Sequence, residues 1–405
     1  VIAGRRLILW SATSEKPMTS AHADEGQLDE LLDLVAQEID LDHVDAVDRR
    51  YRAALDWHEV DQPPLVVQAA FASDLVLPAP WDRFRQYPYR QAFDDPVAML
   101  QNMLLARVVP GLILKDDNPL AVRNDHGTIQ IATFLGASWQ MHGDNYPWIE
   151  PICDVAVLKR IARAGEEIDW TVGVAQSSIR TLECYRHKLA QYPPCDRAIQ
   201  ISLPDLQGPI DTAEQLRGSD LFLDFYDDPD LVADLMARVV DVTLAVADRY
   251  RPFTVDRLDP RASTQHGYVV PGRLMIRNDT AIMLPAEMYV DHVREHDARL
   301  LRGVGGGTIH FCGDGQHLIE AVLEIDDLRG FDFGQSEMMD FDAIYEMCRR
   351  KRIPMTNLRP ERNDLITGRA VGQYPTGVVM VYITSDIDDA KQVVAAHHEH
   401  ATSRS

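Results

Sequence analysis

Gly305-Gly306-Gly307-Thr308-Ile309-His310-Phe311-Cys312-Gly313-Asp314-Gly315 is the stretch on which the reading of this chain turns. Thr308 to Cys312 is β-branched and aromatic with glycines on both sides, the pattern of a short buried strand. Alternate strand residues share a face, so His310 and Cys312 point the same way. An imidazole and a sulfur side by side are two soft-metal ligands, or a base beside a thiol. Gly313-Asp314-Gly315 lets the chain turn sharply after them, and the carboxyl ends of strands are where α/β folds place their chemistry. The run Gly303–Gly307 is not a dinucleotide loop, because it precedes a strand rather than opening a helix.

Working outward, the second half of the chain alternates strand and helix. Strands are expected at Ala198–Leu203, Arg273–Ile276, Thr308–Cys312, Gly330–Phe333, Ile353–Thr356 and Val378–Ile383. Helices are expected from Asp211 to Gly218, from Asp228-Pro229 to Tyr250, from Pro285 to about Leu301, over Gln316–Leu323, after Asp340 and from Asp386 to Ala396. Upstream, residues 25–56 read as helical and Leu65–Phe71 as the first buried strand. A helix opens at Asp95-Pro96 and runs to about Val108. This alternation predicts an α/β fold, a (β/α)8 TIM barrel with an N-terminal helical extension. The expected division is a disordered or vector-derived segment at 1–20 with Met18 as a plausible start, a helical extension at 21–62, and a barrel at 63–400 with an elaborated connection around 138–197.

The chain has 405 residues, 46% of them apolar, so a large core needs no staples. Five cysteines, odd in number and widely spaced, do not form a disulfide framework and point to a reducing, cytoplasmic compartment. The net charge of −23 argues against nucleic acid and anionic membranes as partners. It also disfavours a polyanionic ligand unless local arginines reverse the sign. No apolar run reads as long enough to span a bilayer.

Several stretches then carry a resemblance. Asp205-Leu206-Gln207-Gly208-Pro209, Gln215-Leu216-Arg217-Gly218, Tyr226-Asp227-Asp228-Pro229 and Asn278-Asp279 with Leu284-Pro285-Ala286-Glu287-Met288-Tyr289 resemble the uroporphyrinogen decarboxylase family. Gly307-Thr308-Ile309-His310-Phe311-Cys312-Gly313 resembles the His-x-Cys-Gly element of that superfamily's methyltransferase branch, which includes corrinoid methyltransferases and is similar to cobalamin-independent methionine synthase. The resemblance covers roughly residues 60–400 and implies a TIM barrel. It implies a zinc-assisted methyltransferase acting on a thiol or a corrinoid-linked methyl group, with a small-molecule substrate, a corrinoid as methyl donor and a corrinoid protein as partner. Zinc would be held by His310, Cys312 and a third ligand. The branch places a second cysteine at the end of the last strand, but here Val379-Met380-Val381-Tyr382-Ile383-Thr384-Ser385 has none. By strand-end position Glu337, Asp279 or His126 would take its place.

Asp279, Gln335 and Asp205 are the candidate catalytic residues, and Arg83, Arg90, Arg217 and His126 the candidates for substrate binding. The alternative implied by the resemblance is a cofactor-free decarboxylase of porphyrin-related acids, in which Asp279 or Asp205 stabilises a protonated pyrrole and the arginines pair with carboxylates. That family's arginine-rich segment after the first strand is missing, the chain reading Gln68-Ala69-Ala70-Phe71-Ala72-Ser73-Asp74 there. A non-catalytic tetrapyrrole- or corrinoid-binding member is the third reading. Each residue also has a plain structural role open to it: an Asx turn for Asp205, a helix cap for Asp279, helix termination for Arg217 and a loop hydrogen bond for His126.

Overall fold

A computed structural model describes residues 23–68, 76–163, 165 and 168–402. Residues 1–20 with Met18, and the Ala69–Phe71 end of the first expected strand, lie outside the described residues.

Asp24 caps the first helix, α1 (Glu25–Glu38), accepting from the backbone N–H of Gly26 and Gln27, and Asp40 does the same for α2 (Leu41–Leu55). Each helix buries one stripe, Leu28, Leu31, Leu32 and Val35 on α1 and Val44, Val47, Tyr51 and Ala54 on α2.

Six parallel strands form the main sheet. In chain order they are β1 (Leu65–Gln68), then β4 (Met275–Arg277), β5 (Gly307–Phe311), β6 (Leu328–Phe333), β7 (Met355–Leu358) and β8 (Val378–Ile383). Their spatial order is β1-β8-β7-β6-β5-β4. The remaining two labels belong to a separate parallel pair, β2 (Ala121–Arg123) with β3 (Gln200–Ser202). Side chains tie this pair's approach to the sheet edge: Leu65 N–H donates to Asp117 at 2.9 Å and Val67 N–H to Asp116 at 2.7 Å. On the far side Gly208 lies against the end of β4, where an added Cβ would meet the Arg277 carbonyl oxygen at 2.1 Å.

Strand alternation divides the sheet into two faces. Val378 and Met380 of β8, Ile309 and Phe311 of β5, and Phe331 and Phe333 of β6 join the main core with the helices. Val379, Val381, Val66 and Met275 face the other way. They pack on an antiparallel hairpin, Ala262–Gln265 with Tyr268–Pro271, and on Val47 and Tyr51 of α2. The hairpin thus covers this second face of the sheet and leaves the carboxyl ends of β4 to β6 above it.

Most expected elements are present, with shifted ends. The helix expected from Asp211 is α3 (Pro209–Arg217), and the one expected from Asp228-Pro229 is α4 (Pro229–Tyr250), capped by Asp228. The strand Ala121–Arg123 and the hairpin were not anticipated. The helix expected to stop near Val108 instead continues to Leu114 through a π-helical turn at Leu104–Val108. Pro110 falls in the first turn of the segment that follows, where its missing N–H is no loss. The resulting stretch Pro96–Leu114 is long and apolar enough to cross a membrane, contrary to expectation, yet 67% of its most apolar 18-residue window is buried within the protein. That is the profile of a core helix.

Candidate active site and metal centre

The strand register assembles the site. Arg277 on β4 pairs with His310 on β5, His310 with Asp332 on β6, and Asp332 with Thr356 on β7. In-register residues share a face, so these four side chains form one polar row across four strands, above the hairpin. Asp332 is fully buried between Phe331 and Phe333, which turn to the other face. It accepts from His310 Nδ1 and, at 2.5 Å, from the Thr356 hydroxyl. Burial opposes the imidazolium form, but the hydrogen bonds to Asp332 and Cys312 outweigh it and raise the His310 pKa to about 10. Burial likewise opposes the Asp332 carboxylate, and His310 holds it well below the usual carboxylate range.

With Nδ1 engaged, Nε2 of His310 faces Cys312 Sγ at 3.1 Å and Asp279 Oδ1 at 3.5 Å. The three ligand atoms all lie within 4.8 Å of one another. Asp279 is brought in from the loop after β4, its Oδ1 accepting from the Cys312 N–H at 2.7 Å. Asp211, on α3, anchors that loop by accepting from Asp279 N–H and Thr280 N–H at 3.1 and 2.8 Å. Gly334 stands beside the sulfur, where a Cβ would meet Cys312 Sγ at 2.9 Å. Gln335 accepts from Gly313 N–H and fixes the turn after Cys312.

The donor set fits zinc. Two donors on a tetrahedral ion with bonds of about 2.0–2.3 Å are roughly 3.3–3.8 Å apart, near the 3.1 and 3.5 Å from His310 Nε2 to Cys312 Sγ and Asp279 Oδ1. His310 has the outer hydrogen bond to a carboxylate that metal-ligating histidines show. Asp279 and Cys312 are partly exposed, which leaves a side open for a further ligand.

Next to this group lies a charged network. Asp205 Oδ2 is 2.6 Å from Arg277, 3.6 Å from His266 Nε2 and 3.9 Å from Arg123. Burial disfavours its charge, yet Arg277, His266 and Arg123 hold its pKa well below the ordinary value. His266 is half of the hairpin's two-residue turn, with Gly267, and both have positive φ (50° and 87°), as such turns require. Its ring stands 5.9 Å from that of His310, edge to face. Burial first, and the Arg277 charge second, push its pKa down to about 3, so the ring is neutral.

Of the residues singled out from sequence, Asp279, His310 and Cys312 come together, with Gln335 beside them and Asp205 in the adjoining network. The others lie elsewhere. Glu337 is exposed in the Ser336–Met338 turn and is not part of the ligand group. Arg83 is half exposed, pairs with Glu30 at 2.7 Å and covers the Phe84 ring. Arg90 donates to the carbonyls of Met141 and Gly143. Arg217 is taken by Asp224 at 2.6 Å and Asp220 at 3.3 Å. His126 is buried against Phe93 with Ser177 Oγ at 3.1 Å, and burial pushes its pKa down to about 4. Sequence reasoning missed Asp332, His266, Arg277 and Arg123. Asp332 had a signal, a lone carboxylate between two phenylalanines in an apolar strand; the others depend on long-range packing.

A buried carboxyl supports the loop after β4. Asp297 accepts from Asn278 Nδ2 at 2.5 Å and Tyr289 OH at 2.8 Å, and burial raises its pKa to about 7. A carboxyl with a raised folded-state pKa adds stability below its unfolded value, and that stability is lost as pH rises through about 7. Between pH 5 and 8, wild type should lose on the order of 1–3 kcal/mol relative to Asp297→Asn. Urea midpoints at both pH values measure this, and parallel profiles for the two proteins would refute it.

No family model matches the chain, and no curated protein matches it. Among solved structures it is similar to a methyltransferase from Methanosarcina mazei, with a TM-score of 0.63 and 14% sequence identity, over 87% of this chain and 98% of that one. At that identity the likeness establishes a shared fold.

Proposed function

We propose that this protein is a zinc-assisted methyltransferase of the uroporphyrinogen decarboxylase superfamily. Its eight parallel strands would form a (β/α)8 barrel, with β2 and β3 completing the six-stranded sheet. The observation that carries the reading is the Asp279–His310–Cys312 group, with Asp332 behind the imidazole, at the strand ends of a fold shared with a methyltransferase. The resemblance of residues 307–313 to the His-x-Cys-Gly element supports the same branch.

In this reading Asp279, His310 and Cys312 hold the ion. Bound zinc would supply Lewis acidity that favours the thiolate form of an acceptor thiol at neutral pH. Asp332 accepts the Nδ1 proton of His310 and so orients the ring with Nε2 toward the ion, which would take the place of the Nε2 proton, while Thr356 holds Asp332 in place. Gln335 and Asp211 fix the two loops that carry Cys312 and Asp279. Asp205 and Arg277 form a buried pair beside the centre that can orient the acceptor. A corrinoid is the proposed methyl donor, presented by a corrinoid protein in the cytoplasm. The decarboxylase alternative gains no support, since Arg83, Arg90 and Arg217 are occupied elsewhere.

The test is thiol-dependent demethylation of methylcobalamin by the zinc-loaded protein, followed by its visible spectrum. Turnover with a thiol but not with the matching alcohol is expected. Absence of turnover with every thiol tried would sink the proposal in favour of a binding protein. Asp332→Asn should retain the fold and lower zinc affinity by roughly 10–100-fold, since it removes the acceptor that orients the ligand ring. Chelator competition reads this out, and an unchanged affinity would remove Asp332 from the centre.

A further inference from the structure

The triad occupies the carboxyl ends of the strands. At their amino ends lies a second cavity, of about 430 Å³, bordered by Gly305 before β5, Leu328 of β6 and Ile353-Pro354 before β7. Four arginines line it, Arg52, Arg261, Arg329 and Arg352, against one carboxylate, Asp56. In a chain of net charge −23 this is a local reversal of sign.

The existing partners do not use up these guanidiniums. Arg261 pairs with Asp56 at 2.6 Å, Arg352 donates to the Asp56 carbonyl at 2.6 Å, and Arg329 donates to the Asp326 carbonyl at 3.1 Å and reaches Asp327 at 3.3 Å. Arg52 has no ion pair or side-chain hydrogen bond among the described residues, and each guanidinium carries five N–H donors. Arg52 lies in the last turn of α2, where one cation suits the helix end. That role accounts for one arginine and leaves three.

One glycine of the run before β5, Gly306, belongs to this cavity's rim. Gly306 has φ +101°, and a Cβ on it would meet Arg329 Nε at 2.6 Å. The missing side chain is what lets Arg329 lie across the rim. The rest of the lining is largely apolar, including Leu55, Leu258, Pro260 and Ile353.

We propose that this cavity is a binding site for a small phosphate-bearing molecule. Four guanidiniums lining one cavity can match the several oxygens of a phosphate or diphosphate through paired N–H bonds, and the apolar part of the lining suits the organic part of an ester. The site is separate from the methyl-transfer reading and does not depend on it.

Titration calorimetry with inorganic pyrophosphate, and with citrate as a carboxylate polyanion at equal ionic strength, tests the assignment. Saturable binding of one pyrophosphate per chain, tighter than citrate, is expected. Arg52→Gln and Arg329→Gln should each weaken it tenfold or more, while Arg90→Gln and His310→Ala leave it unchanged. Circular dichroism checks that the variants fold. Protection of Arg52 and Arg352 from phenylglyoxal by pyrophosphate, read by peptide mass spectrometry, tests the same site in wild type. No saturable binding, equal affinity for citrate, no protection, no effect of either cavity substitution, or loss of binding in His310→Ala would each overturn the proposal.

Discussion

Cys312→Ser and His310→Ala should each leave a folded protein that no longer retains zinc and has lost methyl transfer to thiol by roughly 10³-fold or more. That factor corresponds to about 4 kcal/mol of transition-state stabilisation, the scale of a lost Lewis acid. Both side chains are on or just beyond β5, one facing Nε2 and the other Sγ into the same space. Neither substitution disturbs Ile309 and Phe311, which lie on the other face of the sheet and hold the strand in the core. The urea midpoint should therefore fall far less than activity does. His310→Ala strands Asp332 as a buried carboxylate with Thr356 as its partner, so it should be the less stable of the two. Metal analysis, the methylcobalamin assay and a urea melt on one preparation separate the outcomes. Zinc retained at full stoichiometry in both variants would remove the proposed centre.

Gly208→Ala should destabilise the protein by about 3 kcal/mol and reduce activity with it, although Gly208 touches no proposed ligand. A Cβ there would meet the Arg277 carbonyl oxygen at 2.1 Å and Asn278 Oδ1 at 2.6 Å. Backbone and a buried amide cannot give way as the end of a flexible side chain can. Relief requires the loop before α3 to move off the end of β4. That movement would pull Asp205 away from Arg277 and Asp211 away from the Asp279 loop. Equilibrium unfolding gives the stability change, and a midpoint within error of wild type would show that β3 and β4 ends are not packed as described.

The sequence carried the local half of this structure. Short runs of β-branched and apolar residues marked β5 and β8, and Asp-Pro starts marked the helices at Pro96 and Pro229, because these signals depend on a few neighbouring residues. Strand alternation put His310 and Cys312 on one face. Ala121–Arg123 escaped notice because three residues give too little pattern, and its Arg123 went with it. The arginine-rich aromatic stretch Trp81–Phe93 reads either as an anion-binding lip or, preferably, as a loop whose rings cover the edge of the fold, and Trp81, Phe84, Tyr87 and Phe93 are buried. Composition cannot tell a ring packed inward from one lining a cleft.

What the chain by itself determined is the strand-borne His310–Cys312 pair and the α/β alternation that places it at a strand end, since both follow from backbone geometry over a handful of residues. Tertiary structure alone decided the third ligand and the outer hydrogen bond. Asp279, 31 positions before His310, and Asp332, 22 after it, reach the imidazole through parallel register and a loop pinned by Asp211. It also decided that Glu337 and His126 stay away, because the direction of a side chain after a strand end is set by the turn that follows and by what the fold packs against it.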